Sequence, residues 1–83
     1  MKEDKVFYTL SVDGKAFAFR RPEVSQIDRF ASRMARAPLS AALDFTRELA
    51  LEAEAWAQAT TERPGLALAA ANGIMEALGF LAG

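Results

Sequence analysis

The chain has no cysteine and no histidine. The first absence rules out a disulfide framework, and the two together remove the side chains from which most zinc sites are built. Without histidine, no serine has the usual base to activate it as a nucleophile. Carboxylates alone bind hard cations, but no stretch has the spacing of an EF-hand loop. Glycine is sparse and scattered, and Gly65, Gly73 and Gly79 form no phosphate-cradling loop; the latter two read as positions of close helix contact. Neither a cofactor nor catalysis is expected. A cysteine-free chain suits a reducing compartment, here the cytoplasm. The opening "MKEDK" runs into a strand pattern and not an apolar leader, so no signal peptide is read.

Net charge is also scarce. The formal value is −1, which argues against nucleic acid or an anionic membrane as a diffuse electrostatic partner. The charge is unevenly placed. Through residue 36, eight basic residues stand against five acidic ones; beyond it, two stand against six. Opposed halves suit head-to-tail contact between copies, or attraction within one molecule.

At 83 residues the chain reads as a single domain, residues 1–83. A chain this short buries only about 60–65% of its unfolded surface. With disulfides and typical metal sites excluded, further burial is expected from partners or from copies of itself.

What is present is a clear pattern. In "YTLSVDGKAFAFRRP", alternating apolar runs flank Asp13-Gly14, the strongest short-range hairpin signal. A two-residue turn there pairs Val12 with Lys15, Leu10 with Phe17 and Tyr8 with Phe19. Strand alternation then puts Tyr8, Leu10, Val12, Phe17 and Phe19 on one oily face. A lone hairpin is marginal in water, so that face is expected to lie on helices.

Pro22 and Glu23 read as a helix start, followed by Val24, Ile27, Phe30 or Ala31, and Met34 at helical spacing. The helix is expected to end near Arg36, before Ala37-Pro38. A second helix reads from Pro38 to about Thr60, with Leu39, Leu43, Thr46, Leu49 or Ala50, Ala53 and Trp56 inward. A third opens at Pro64 or Gly65 and presents Leu66, Leu68, Ile74, Met75, Leu78, Phe80 and Leu81. The expected fold is α+β, a hairpin packed on a three-helix body (ββααα). Met1–Lys5 is frayed, residues 6–20 form the hairpin and residues 22–83 the helical body.

The last segment is almost wholly apolar, but Asn72 and Glu76 interrupt it and alanine dominates it. A carboxylate near mid-helix costs about 2–3 kcal/mol on insertion scales. No membrane span is read; a buried or interface helix is. Apolar side chains wrap most of its circumference, more than three short helices and a hairpin can cover. Phe45, off the main stripe of the second helix, is read as a further interface marker. The expected self-association surface is therefore Phe45, Leu68, Ile74, Met75, Leu78 and Phe80.

Arg20, Arg21, Arg29, Arg33 and Arg36 form the other candidate surface. Guanidinium groups along a helix and its approach suit phosphates or an acidic partner. Alternatively, they pair with Asp28 or with the acidic second helix. Glu48 and Glu52 lie one turn apart and read as a wet helix face, since bundled carboxylate sites enlist histidine. Trp56, Tyr8, Phe17, Phe19 and Phe30 read as core.

The stretch from Leu10 to Pro22, with Asp13, Gly14, Phe17, Phe19, Arg20 and Pro22 in place, resembles the opening of small tail assembly chaperones of phages and prophages. The amphipathic helices after it resemble their helical body. The resemblance implies a non-enzymatic assembly factor that forms homo-oligomers and holds an aggregation-prone phage tail protein, such as the tape measure. It brings no catalytic residue, metal or cofactor with it. The competing expectation is a small nucleic-acid-associated phage regulator that lays the arginine stripe on phosphates.

Overall fold

A computed structural model describes residues 5–80. The expected fraying of Met1–Lys5 thus lies outside the described residues except at Lys5, and Leu81 lies outside them too. In chain order the elements are β1 (Tyr8–Val12), β2 (Lys15–Phe19), α1 (Val24–Met34), α2 (Pro38–Leu49), α3 (Ala53–Glu62) and α4 (Gly65–Ala77). The α+β class is as the sequence indicates, but the body has four helices and not three.

The hairpin has the expected register, with Tyr8 opposite Phe19, Leu10 opposite Phe17 and Val12 opposite Lys15. Asp13 and Gly14 both take positive φ, 50° and 82°, as a type I′ turn requires. Its oily face meets the core through edge-to-face contacts. The Trp56 ring lies 4.9 Å from the Phe19 centroid and 5.1 Å from that of Phe17. Thr9, Ser11 and Ala16, on the other face, are exposed.

Helix α1 begins at Val24, after the Pro22 and Glu23 that read as its start. Glu23 is its N-cap, its backbone N–H donating to Gln26 Oε1 at 2.8 Å, and the buried Pro22 precedes the cap. Of the four apolar positions read as inward, only Phe30 is buried; Val24 is 73% exposed. Among the described residues, α1 packs chiefly on α2.

The expected second helix is broken at residues 50–52. Ala50 N–H still closes the last turn of α2 on the Thr46 carbonyl, but Ala50 then leaves the helix with ψ 130°. The cause is the outer edge of β2. The Leu49 carbonyl accepts from Arg20 N–H, and Leu51 N–H donates to the Ala18 carbonyl, both at 2.9 Å; Ala50 pairs with Phe19 as an isolated bridge. Phe19, Leu49 and Ala50 are all buried. A buried strand edge must find backbone partners, and here a helix-forming stretch supplies them.

The core gathers under the hairpin. Trp56 is fully enclosed, and its Nε1–H donates to Thr46 Oγ1 at 2.9 Å, while the Thr46 hydroxyl donates to the Ala42 carbonyl at 2.8 Å. Helix α4 buries a face of small residues, Ala67, Ala70, Ala71 and Gly73, together with Ile74. At Gly73 a Cβ would overlap the Tyr8 hydroxyl and ring, so its close contact is with the hairpin and not with another helix.

Candidate functional site

Helices α1 and α4 both pack on α2, one on each side, and scarcely touch each other. This arrangement explains the faces of α2. Ala41, Ala42, Phe45, Thr46 and Leu49 are buried, whereas Leu39, expected inward, is 38% exposed. The Phe45 ring stacks on Phe30 of α1, centroids 4.3 Å apart and planes 13° from parallel. Phe45 therefore belongs to the α1–α2 seam of the monomer and not to an association surface.

Between α1 and α4 lies an open apolar groove of about 540 Å³. Phe30 and Met34 form the α1 wall; Leu68, Asn72 and Met75 form the α4 wall; Phe80 closes one end, and Ala69 and Ala71 complete the lining. Asn72 is the one polar side chain among them. Met34, Leu68 and Phe80 are 42%, 41% and 61% exposed, an adjoining set of large apolar side chains left to solvent. The groove lies in the size range of ligand and anchor pockets, about 300–1,000 Å³.

Phe80 reaches the groove through a defined turn. After α4, Gly79 adopts φ 100°, Gly79 N–H donates to the Glu76 carbonyl at 3.0 Å, and Phe80 N–H reaches back to the Met75 carbonyl at 3.1 Å. This is a Schellman-type ending, with glycine in the left-handed position and the next residue's side chain turned onto the helix it has left.

The expected association residues thus divide. Leu68, Met75 and Phe80 converge on the groove. Leu78 is half-buried against the core, and Ile74 is fully buried within the monomer, like Phe45. Ile74 shares the apolar helix with the others but faces the opposite way. The sequence reading missed Phe30, Met34 and Asn72 as groove residues. For Asn72 the signal was present in the spacing, one turn after Leu68; Met34, one turn after Phe30, reads equally as core.

The five arginines do not form an open cationic surface. Arg29 Nη1 meets Glu48 Oε2 at 2.8 Å, and Arg33 Nη1 meets Asp44 Oδ2 at 2.6 Å, tying α1 to α2. Arg20 Nη1 donates to the Glu48 carbonyl at 2.9 Å, and the Arg21 guanidinium lies 4.9 Å from the Phe7 ring centroid. Of the five, the Arg36 guanidinium alone makes none of the side-chain hydrogen bonds, ion pairs or ring contacts seen among the described residues. Glu48 also accepts from Gln26 Nε2 at 3.1 Å, and Glu52 sits across the helix break, so the two carboxylates do not act as a pair. The pairing of arginines with the acidic second helix is the one the structure shows.

A second cleft of about 310 Å³ lies where the hairpin tip meets α3 and the start of α4. It mixes Phe17 and Leu66 with Lys15, Gln58 and Glu62, and the Arg63–Asp13 ion pair, 2.9 Å, spans its side. Among the described residues, no helix is long and apolar enough to cross a membrane, and no group of three or more acidic side chains is placed to hold a metal ion.

No curated protein matches the chain. A solved structure of an uncharacterised protein from Bacillus stearothermophilus is similar to it at 32% identity and a TM-score of 0.83, covering 92% of this chain and 83% of that one. Residues 9–82 match the family described as a domain of unknown function, DUF6848, and they take in the hairpin from its second residue, the four described helices and the groove: the chain belongs to that family.

Proposed function

We propose that this chain is a non-enzymatic protein-binding module that receives an apolar helical segment in the groove between α1 and α4. The observation that carries the reading is the exposed apolar groove itself. Helices α1 and α4 both pack on α2 but leave an open apolar groove between them, and apolar side chains from the two helices line it. An amphipathic helix laid into such a groove is a recurring recognition mode, with anchors at i, i+3, i+4 and i+7. Met34 and Met75 suit the role, because flexible thioethers repack around different partners.

In its finer form the reading follows the resemblance of the Leu10–Pro22 stretch. The module would act in the cytoplasm as a tail assembly chaperone, holding an aggregation-prone tail component until it is needed. The alternative, a nucleic-acid-associated regulator, is disfavoured by the engagement of Arg29 and Arg33 with α2.

The test uses an uncharged, fluorescein-labelled amphipathic peptide with leucines along one helical face. Fluorescence anisotropy is expected to show saturable binding to the full chain. Met34→Glu or Leu68→Glu is expected to weaken it about ten-fold or more, as an unpaired charge enters an apolar wall. Circular dichroism checks that the fold is retained. Equal binding by wild type and both variants would sink the reading.

A further inference from the structure

We propose that a second copy of this chain occupies the groove when no partner does, docking α4 against α4 about a two-fold axis, so that self-association and partner binding compete for one surface. The inference rests on the reading of the groove as a helix-accepting site and names its resident occupant.

Shape is the first argument. A two-fold contact requires a face that is complementary to itself. Here projection and recess lie side by side: Phe80, Leu68 and Met34 stand exposed at the edges of the groove they line. Each copy offers projecting side chains and a recess to take the other's. Helix α4, with 13 residues, is about 20 Å long. Two such helices side by side make a small contact, and the walls on α1 and Phe80 widen it toward the roughly 800 Å² per partner of a standard interface.

Polarity is the second. Asn72 is exposed, lies one turn beyond Leu68 and precedes Met75 by three residues on α4. An antiparallel pairing of α4 helices centred on Asn72 brings amide to amide across the axis. Each carbonyl then accepts from the other's NH₂ group, and the polar side chain is satisfied as it is buried. A wholly apolar foreign segment leaves it without a partner.

Charge is the third. Arg36 follows the end of α1, and Glu76 stands one turn beyond Asn72 on α4; both are exposed, and neither is in an ion pair among the described residues. In the two-fold arrangement Glu76 of one copy faces Arg36 of the other, and the contact occurs twice. Arg33, one turn before Arg36, is already paired with Asp44. A like copy therefore meets no net repulsion at this face.

Sedimentation velocity of the full chain, from about 1 µM to about 500 µM, is expected to show a reversible monomer–dimer equilibrium in the micromolar range. Leu68→Glu should raise the dissociation constant about ten-fold or more with unchanged helicity. Arg36→Glu and Glu76→Arg should each weaken the dimer several-fold, and an equimolar mixture of the two should restore it, because opposite charges then meet at both contacts. Adding the labelled leucine-faced peptide should dissociate the dimer as it binds. A monomer across the whole range, failure of the mixture to recover, or peptide bound to an intact dimer overturns the proposal. A strict monomer that still binds the peptide defeats this inference and leaves the proposed function standing. A dimer lost in Leu68→Glu that binds no peptide at any concentration defeats the proposed function and overturns the competition, leaving only the two-fold docking.

Discussion

The Thr46 hydroxyl serves two buried groups at once. It accepts from the Trp56 indole and donates to the Ala42 carbonyl, and both residues of the side-chain pair are fully enclosed. Valine has nearly the same shape as threonine but cannot accept the indole N–H. Thr46→Val is therefore expected to destabilise the fold by about 1–3 kcal/mol, the penalty of a buried donor left unpaired, despite adding apolar surface. Urea unfolding followed by Trp56 fluorescence measures it. The expected loss appears as a lower midpoint with an unchanged slope, and Thr46→Ser should recover most of it if the hydroxyl is what matters.

At the scale of elements, the question is what holds α1, since α1 forms one wall of the groove. Two exposed ion pairs, the Gln26–Glu48 hydrogen bond and one stacked aromatic pair join it to α2. Exposed pairs of this kind contribute about 0–1 kcal/mol, because solvent screens them and two long side chains must be ordered to make them. A buried Phe replaced by Ala costs about 3–5 kcal/mol. Arg33→Ala should thus shift the thermal midpoint little, and Phe30→Ala should shift it strongly. The reverse order would mean that charge, not packing, docks α1. This balance also bears on charge reversal: Arg29→Glu or Arg33→Glu would set like charges against Glu48 or Asp44, so Arg36→Glu is the cleaner probe of surface charge.

The same scale shows what was legible in the sequence. The hairpin could be read to the residue, because Asp13-Gly14 specifies its turn locally and the turn sets the register. The break at Ala50–Glu52 could not. Ala50, Leu51 and Glu52 are good helix formers, and only the distant edge of β2 gives their backbone groups a better use. Phe45 was misplaced for a related reason. An unbroken helix implies one inner stripe, whereas α2 is covered on two sides and buries Phe45 and Leu49 alike. Half the groove was visible as an excess of apolar residues on α4. Its other wall was not, since Met34 at core spacing looks identical whether or not a neighbour covers it.

For the whole molecule, part of the opposed charge of the two halves is paired inside one monomer. Arg29 and Arg33 from the basic half meet Glu48 and Asp44 from the acidic half, and Arg63 from the acidic half returns to Asp13 in the hairpin. The largest exposed apolar feature left for an outside partner is the groove with Met34, Leu68 and Phe80. Binding driven by apolar burial and binding driven by phosphate contact respond oppositely to salt. Each phosphate contact releases condensed counterions, so affinity for nucleic acid falls steeply as salt rises. Apolar burial is held or strengthened, most clearly by sulfate, which is excluded from protein surface. Affinity for the uncharged leucine-faced peptide is therefore expected to stay level or rise as sodium sulfate goes from about 0.05 M to about 0.5 M. A labelled single-stranded oligonucleotide, titrated in sodium chloride over the same range, should show no binding that salt removes. Peptide affinity falling ten-fold with sulfate, or a salt-sensitive oligonucleotide complex, would transfer the function from the α1–α4 groove to the arginine face.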